Sequence, residues 1–423
     1  MISVIVPLEM FTDFVGGAEI HSNEVIKRLS KITDVLILPY FNNITNFNNK
    51  KICETYRNLP YHFPKIIHRL CSGEKIKFSD AVRELSEEAK QTDLIYEPSL
   101  RITLNVGGLK DKIRLAVNSL KIPVYCSEDI VFDSFCIAKR SGKRLVSVIQ
   151  SDIKSYFEGL RILYYGIRYH FNDPLIYLKN TYTYRNVLKM GNLIKDPLFK
   201  NLLSVSQVVR NLGIRSEKIK ILKVANAFDK DILKYRTKKK EDYIVFGTRL
   251  YSLKGILEVP YIIKEISKEY GDIKLKLFGN FHYNAEKEYF FSLVKKLNVE
   301  RNIEYLGSLK ENRYEVISRA RAVLYPSHAD SFSLVILESL ALGTPVVAYD
   351  LLGPRSVYEG LSAVKFVEEF DVKGMAREIL KLLNMKDEDY YALIYNDSRL
   401  DNFLEQHDSW DKVFEEISVY IFD

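Results

Sequence analysis

Two acidic residues open the functional question. In SHADSFSLVILESLALGTPVVAYD, residues 327–350, Glu338 interrupts a run that is apolar from Leu334 to Leu342, and Asp330 stands eight residues before it. AVLYPS reads as a strand, HADSF as its exit loop, and Ser331 or Ser333 as the cap of a helix. Gly343 is the natural residue to end that helix, and Thr344-Pro345 prevents its continuation. Burying an ionised carboxylate in such a helix is costly unless it is hydrogen-bonded. Either Glu338 pairs with an arginine or a backbone group, or a ligand completes it. Two vicinal ribose hydroxyls would suit it, because a carboxylate can accept from both. The helix start would then meet the attached phosphates with free N–H groups and the positive end of its dipole.

Phosphate also calls for cations. GTRLYSLKG, residues 247–255, directly follows the strand-like DYIVF, which places Arg249 and Lys254 at a strand's carboxyl end. Arginine can grip phosphate oxygens bidentately, and lysine adds a compact point charge. The GxxxxGK[ST] order of a P-loop is absent, and no GxGxxG follows a strand, which speaks against a dinucleotide oxidoreductase. Gly16-Gly17, between the first strand and a helix, offers either a close backbone approach to a ligand or simply a tight turn.

The elements that must position these residues alternate. ISVIVPL, TDVLILPY, TDLIYEP, IPVYCSE, KRLVSVIQ, NLLSVS and IKILKV read as strands, with helical segments such as AEIHSNEVIKRLS between them. After the charged, unpatterned FDKDILKYRTKKKED the alternation restarts with DYIVFGT and runs through IKLKLFG, NIEYLG and AVLYPS to PVVAYD. Two consecutive doubly wound α/β units are expected, with a cleft between the carboxyl ends of their strands. The divisions are residues 1–227, a linker at 228–242, residues 243–404, and a final helix at 405–423 that contains DSWDKVFEEISVYIF. The Asn-rich FNNITNFNNK reads as a loop.

Bulk properties bound the answer. The 423 residues, 47% hydrophobic and 28% charged, suit a soluble globular protein of two or three domains. MISVIVPLEMF lacks the basic start of a secretory signal, and no apolar run reaches the roughly 18 residues of a membrane span. Four cysteines without CxxC or zinc spacing suggest a reduced, cytoplasmic protein. A net charge of +7 points to an anionic partner: nucleotide, phospholipid or nucleic acid. Part of the excess lies in residues 154–195, which carry seven Lys/Arg against two acids, and nine Tyr/Phe. That segment could be a peripheral membrane patch, a single-strand nucleic-acid surface, or an insertion covering its own domain.

Taken in order, the motifs resemble one family, the retaining glycosyltransferases of the two-Rossmann-domain (GT-B) type, group 1 or family 4. The resemblance rests on GGAE (Gly16 to Glu19), on VANAFD with Asn226, and on GTRLYSLKG. It rests also on the two acids eight residues apart, continued by LALGTPVVAYD, and on the closing DSWDKVFEEI. It covers nearly the whole chain and is densest after Tyr243. It implies transfer of a hexose-type sugar from a UDP- or GDP-linked donor to an acceptor hydroxyl, on a lipid-linked or cell-surface glycan, with no metal. Arg249 and Lys254 would hold the diphosphate, Glu338 the ribose, and Asp330 the transferred sugar. The N–H groups of Ser333, Leu334 and Val335 would touch phosphate, Gly16 and Gly17 would close over it, and the final helix would cross back to the first domain. Two departures stand out: Asp330 replaces the family's glutamate, and Gln150 stands where a histidine is common.

Two other classes compete. A glycosidase could use Asp330 and Glu338 as acid and nucleophile, but the cation loop would then have no purpose. An inactive GT-B partner or binding protein would keep the pocket without the chemistry.

Overall fold

Runs of Val, Ile and Leu apolar on both faces become inner strands of parallel sheets, since helices cover such sheets on both sides. The computed structural model describes residues 1–12, 16–45, 47–48, 50–100, 103–104, 126, 130–151 and 193–423. Residues 152–192, most of the basic-aromatic segment, lie outside the described residues, as does nearly all of IPVYCSE.

The first sheet has six parallel strands: β1 (Ile2–Val6), β2 (Val35–Pro39), β3 (Leu94–Glu97), β4 (Arg144–Ile149), β5 (Phe199–Ser204) and β6 (Ile219–Ile221). Their spatial order is β2-β1-β3-β4-β5-β6. Register runs from Ile2 opposite Val35 and Leu94 to Ser204 opposite Ile221. Ile5, Leu38, Ile95, Leu145 and Leu202 fill its core with Val82 and Leu85 from the helix Phe78–Ala89. Helix α1 (Gly17–Leu29) follows β1, with Gly16 as its extended N-cap residue.

The second sheet also has six parallel strands: β7 (Glu241–Gly247), β8 (Lys274–Phe278), β9 (Ile303–Tyr305), β10 (Ala320–Tyr325), β11 (Val346–Tyr349) and β12 (Val364–Val367). Their order, β9-β8-β7-β10-β11-β12, reverses direction between β7 and β10. In such sheets ligands bind outside the carboxyl ends of the strands at the point of reversal. The chain places GTRLYSLKG after β7 and HADSF after β10, on the two sides of that point. Helices α2 (Val259–Ser267), α3 (Asn312–Arg319), α4 (Leu334–Ala341) and α5 (Val372–Leu383) connect or follow these strands. Ile262 and Ile266 of α2 and Ile379 of α5 close the core over Phe246, Leu277, Leu324 and Val347.

Two compact units result. Among the described residues, one comprises the chain up to Ala225 together with Trp410–Asp423, and the other comprises Asn226–Ser409. The last helix, α6 (Trp410–Phe422), belongs to the first unit and packs against α1. Arg28 Nε donates to Asp411 Oδ1 at 2.6 Å, and the Glu416 carboxylate accepts from the N–H groups of Lys223 and Val224 at 2.8 and 2.7 Å. Inside the second unit the entering and leaving segments are stitched together. Phe228 N–H donates to His407 O at 3.0 Å, and His407 Nδ1 lies 2.6 Å from Asn226 O.

The segment 228–242 holds a 3-10 helix at Lys230–Tyr235, capped by Asp229, and β7 starts at Glu241. Two local expectations are corrected. Within FNNITNFNNK, Phe41–Thr45 is helical, because Phe41 and Ile44 bury on one side of the turn. The cysteines are not free. Cys53 pairs with Cys71 and Cys126 with Cys136, at Cα separations of 5.4 and 5.2 Å that suit disulfides. Linear spacing gave no hint of pairs that only folding brings together.

Candidate functional site: the cation turn and the acid loop

The site in the second unit is built on two loops. After β7, Ser252–Lys254 forms one 3-10 turn that ends at Gly255 with φ of +77°. A side chain there would be strained, and a Cβ would stand 2.0 Å from Pro326 O. Glycine lets the turn seat directly on the loop that follows β10. Lys254 is consequently buried, and its Nζ donates to Ala329 O at 2.9 Å and to Asp330 Oδ2 at 2.8 Å. The ammonium also lies 5.9 Å from the centre of the Tyr325 ring.

Asp330 is held from several directions. Besides Lys254 it accepts from the Tyr325 hydroxyl and from Ser331 N–H, the latter at 3.0 Å. Burial alone would push its carboxyl up. The Lys254 charge and these hydrogen bonds outweigh burial and keep it below the usual carboxylate range. A carboxylate held ionised in this way is a poor proton donor. On its other side the loop is squeezed against Gly353, where a Cβ would lie 2.6 Å from Asp330 O.

The helix start is as strained as a functional terminus often is. Ser333, not Ser331, is the N-cap: its side chain accepts from Ile336 N–H at 3.3 Å, and its φ is +72°. The Tyr358 hydroxyl donates to Ser333 O at 2.9 Å and fixes that conformation from below. The N–H groups of Leu334 and Val335 have no acceptor among the described residues, as the first positions of a helix require. At the other end Gly343 is left-handed, with φ of +78°, and ends the helix.

Helix α4 is not buried all round. Ile336, Leu337, Ser339, Leu340 and Ala341 are buried, while Leu334, Val335 and Glu338 are half-buried. Positions three and four apart share a face, so the half-buried side chains of Leu334, Val335 and Glu338 lie on one open side. Glu338 has a protein partner, the Arg313 guanidinium of α3, 3.6 Å away. That is an ion-pair distance and longer than a good hydrogen bond. Burial raises the Glu338 carboxyl above its usual range against the pull of Arg313. The neighbouring Tyr314 hydroxyl, to which Arg313 donates at 2.6 Å, is pushed up to about 12 by burial and by the charge of Glu338.

The remaining predicted residues make contacts of their own. Arg249 lies just beyond β7, exposed, 5.9 Å from the centre of the Tyr251 ring. Gly16 and Gly17 start α1 in the first unit, where β1 and β3 flank that sheet's own point of reversal. Gln150 follows β4 and donates to Pro98 O at 2.8 Å. Arg313, Tyr314 and Tyr325 were missed because no spacing rule links them to the acids. Only the end of β10, YPS, hinted that Tyr325 would sit beside Asp330.

Residues 227–399 match the family described as Glycosyl transferases group 1. An uncharacterized glycosyltransferase of Haemophilus influenzae is 22% identical over 310 residues, 70% of this chain and 84% of that one. The N-acetyl-alpha-D-glucosaminyl L-malate synthase of Bacillus anthracis is 27% identical over 157 residues, 37% of this chain and 39% of that one. Among solved structures, Anabaena HepE in complex with UDP-glucose superposes with a TM-score of 0.64 at 16% identity, over 99% of this chain and 98% of that one. A glycosyltransferase from Rickettsia africae gives a TM-score of 0.64 at 12% identity, over 99% and 97%.

The two parallel six-stranded sheets and these structural likenesses define an α/β protein of GT-B fold. The second unit carries a glycosyl transferases group 1 domain, and the chain is a glycosyltransferase.

Proposed function

We propose that the chain transfers a hexose-type sugar, with retention at the anomeric carbon, from a UDP- or GDP-linked donor to an acceptor hydroxyl. The observation that carries this is the Lys254–Asp330 pair at the strand-order reversal, beside the open face of α4 that bears Glu338. Arg249 and Lys254 neutralise the departing diphosphate, aided by the N–H groups of Ser333, Leu334 and Val335 and by the helix dipole. Glu338 accepts from the ribose hydroxyls, and Asp330 faces hydroxyls of the sugar. The bond from the anomeric carbon to the phosphate oxygen breaks. The acceptor oxygen bonds to that carbon on the face the phosphate leaves, and the phosphate oxygen takes the acceptor's proton. Fixed cations supply the charge that a metal would otherwise provide, so no metal is required.

A glycan acceptor, lipid-linked or at the cell surface, fits the relatives. One is named poly(glycerol-phosphate) alpha-glucosyltransferase, matched over 34% of this chain and 21% of its own length. No helix among the described residues is long and apolar enough to cross a membrane. Peripheral contact with the cytoplasmic face would use residues 154–195. Sedimentation with acidic vesicles tests it: salt-sensitive binding supports the contact and none removes it.

The deciding experiment is a thermal-shift panel of nucleoside diphosphates followed by transfer assays with the matching nucleotide sugars. A melting-point rise with UDP or GDP, and product formed from the same donor class, support the assignment. A flat panel and no product would overturn it.

A further inference from the structure

A second buried polar group touches both loops of the site and has no role in the chemistry above. His328, two residues before Asp330, is fully buried with its ring held between two carboxylates. Its Nε2 lies 3.0 Å from Glu258 Oε2, and its Nδ1 lies 2.7 Å from Glu369 Oε1. The Tyr349 hydroxyl donates to the same Glu258 oxygen at 2.8 Å, and the Phe370 ring stacks on the imidazole with centres 4.6 Å apart. Glu258 comes from the N-cap of α2, Tyr349 from β11, and Glu369 follows β12. The His328 backbone N–H donates to Leu253 O at 2.9 Å, one residue before Lys254.

Elementary counting constrains this group. A carboxylate only accepts, so each ring-nitrogen contact to a carboxyl oxygen requires a proton. The three side chains therefore share two such protons and carry a net single negative charge. Burying them costs free energy that an apolar cluster of similar volume would not. Among the described residues no group of three or more His, Cys, Asp or Glu is arranged to hold a metal ion, so metal binding does not account for them. What the cluster does is mechanical. It ties the turn of Lys254, the start of α2, the end of β12 and the loop of Asp330 to one imidazole.

We propose that His328 is a positioning residue for transfer, holding Lys254 and Asp330 in one rigid geometry so that both meet the sugar–phosphate bond together. This rests on the transferase assignment. Displacing a positioned group by about 1 Å can cost about a hundredfold in rate with little change in binding. Donor affinity, shared by Lys254 and Asp330 with Glu338, Arg249 and the amides of α4, should be less sensitive than turnover.

The test uses the full chain with His328→Gln, which keeps one of the two ring contacts, and Glu369→Gln. Glu369 sits at the rim, with its side chain 12% exposed, so its amide replacement is the variant expected to fold if the first does not. The expected result is a fall in kcat of about tenfold or more in both variants. The KM for the nucleotide sugar and the melting shift induced by nucleoside diphosphate should stay close to wild type. Folded variants with unchanged kcat would overturn the inference. So would a loss confined to KM, which would make the cluster a part of donor binding. A wild-type chain that turns over no nucleotide sugar would instead overturn the transferase assignment, and the positioning role with it.

Discussion

Lys254 and Asp330, 76 residues apart in sequence, form an ion pair of 2.8 Å whose side chains are only 9% and 15% exposed. Breaking one side of such a pair leaves a lone charge in a dry site and typically costs about 3–5 kcal/mol. Lys254→Ala should therefore both destabilise the protein and abolish turnover. Lys254→Met/Asp330→Asn should recover much of the melting temperature while turnover stays about a hundredfold or more below wild type, as loss of a charge-stabilising group implies. Paired melting and turnover measurements check this; a stable double variant with normal turnover would remove Lys254 from the reaction.

Glu338 gives a pH-dependent prediction. Burial raises its carboxyl in the folded chain, so its contribution to stability is present at low pH and is lost as pH rises through that raised value. At neutral pH the ionised form is a cost. Glu338→Gln should leave the unliganded melting temperature unchanged or higher at pH 7, yet weaken nucleotide binding by about 2 kcal/mol, roughly thirtyfold. In wild type, affinity should decline as acid protonates Glu338, and in the variant this dependence should flatten. Calorimetric titrations with nucleoside diphosphate across pH would measure both.

Gly255 fixes the approach of the cation turn to Pro326. Gly255→Ala introduces a Cβ against a carbonyl at positive φ, and should cost about 2 kcal/mol or more and shift Lys254. Gly271→Ala, with open space around the position, is the control. Denaturant melts and turnover should separate the two substitutions cleanly.

Cys53 and Cys71, 18 residues apart, close a loop whose cross-link is worth about 3 kcal/mol by chain entropy. Non-reduced protein should resist alkylation at these positions. Cys53→Ser should lower stability by about that amount, and reductant should mimic it in wild type. Equal alkylation with and without reductant would show the thiols to be free.

Much of the scaffold was legible because parallel strands covered on both faces must be apolar runs, as DYIVFG and VLILP are. The strand order was not legible, since crossovers rather than composition decide which strands adjoin. Between β11 and the final helix the elements also went unread. The burial of β12 alternates weakly, with Lys365 and Phe366 only half-buried between buried valines, so it lacks the uniform apolar signature. In the site, the acids and cations were visible from type and spacing. The partners that set their behaviour were not: Arg313 reaches Glu338 from another helix, and His328 meets Glu258 across 70 residues. Tertiary pairings of this kind leave no local period.

The return of α6 to α1 has a consequence for the gene. A stop codon at Trp410 would leave Asn226–Ser409 encoded in full and strike the first unit, removing Asp411 from Arg28 and Glu416 from the amides of Lys223 and Val224. Nonsense alleles falling within the codons of α6 would thus behave as lesions of the first unit.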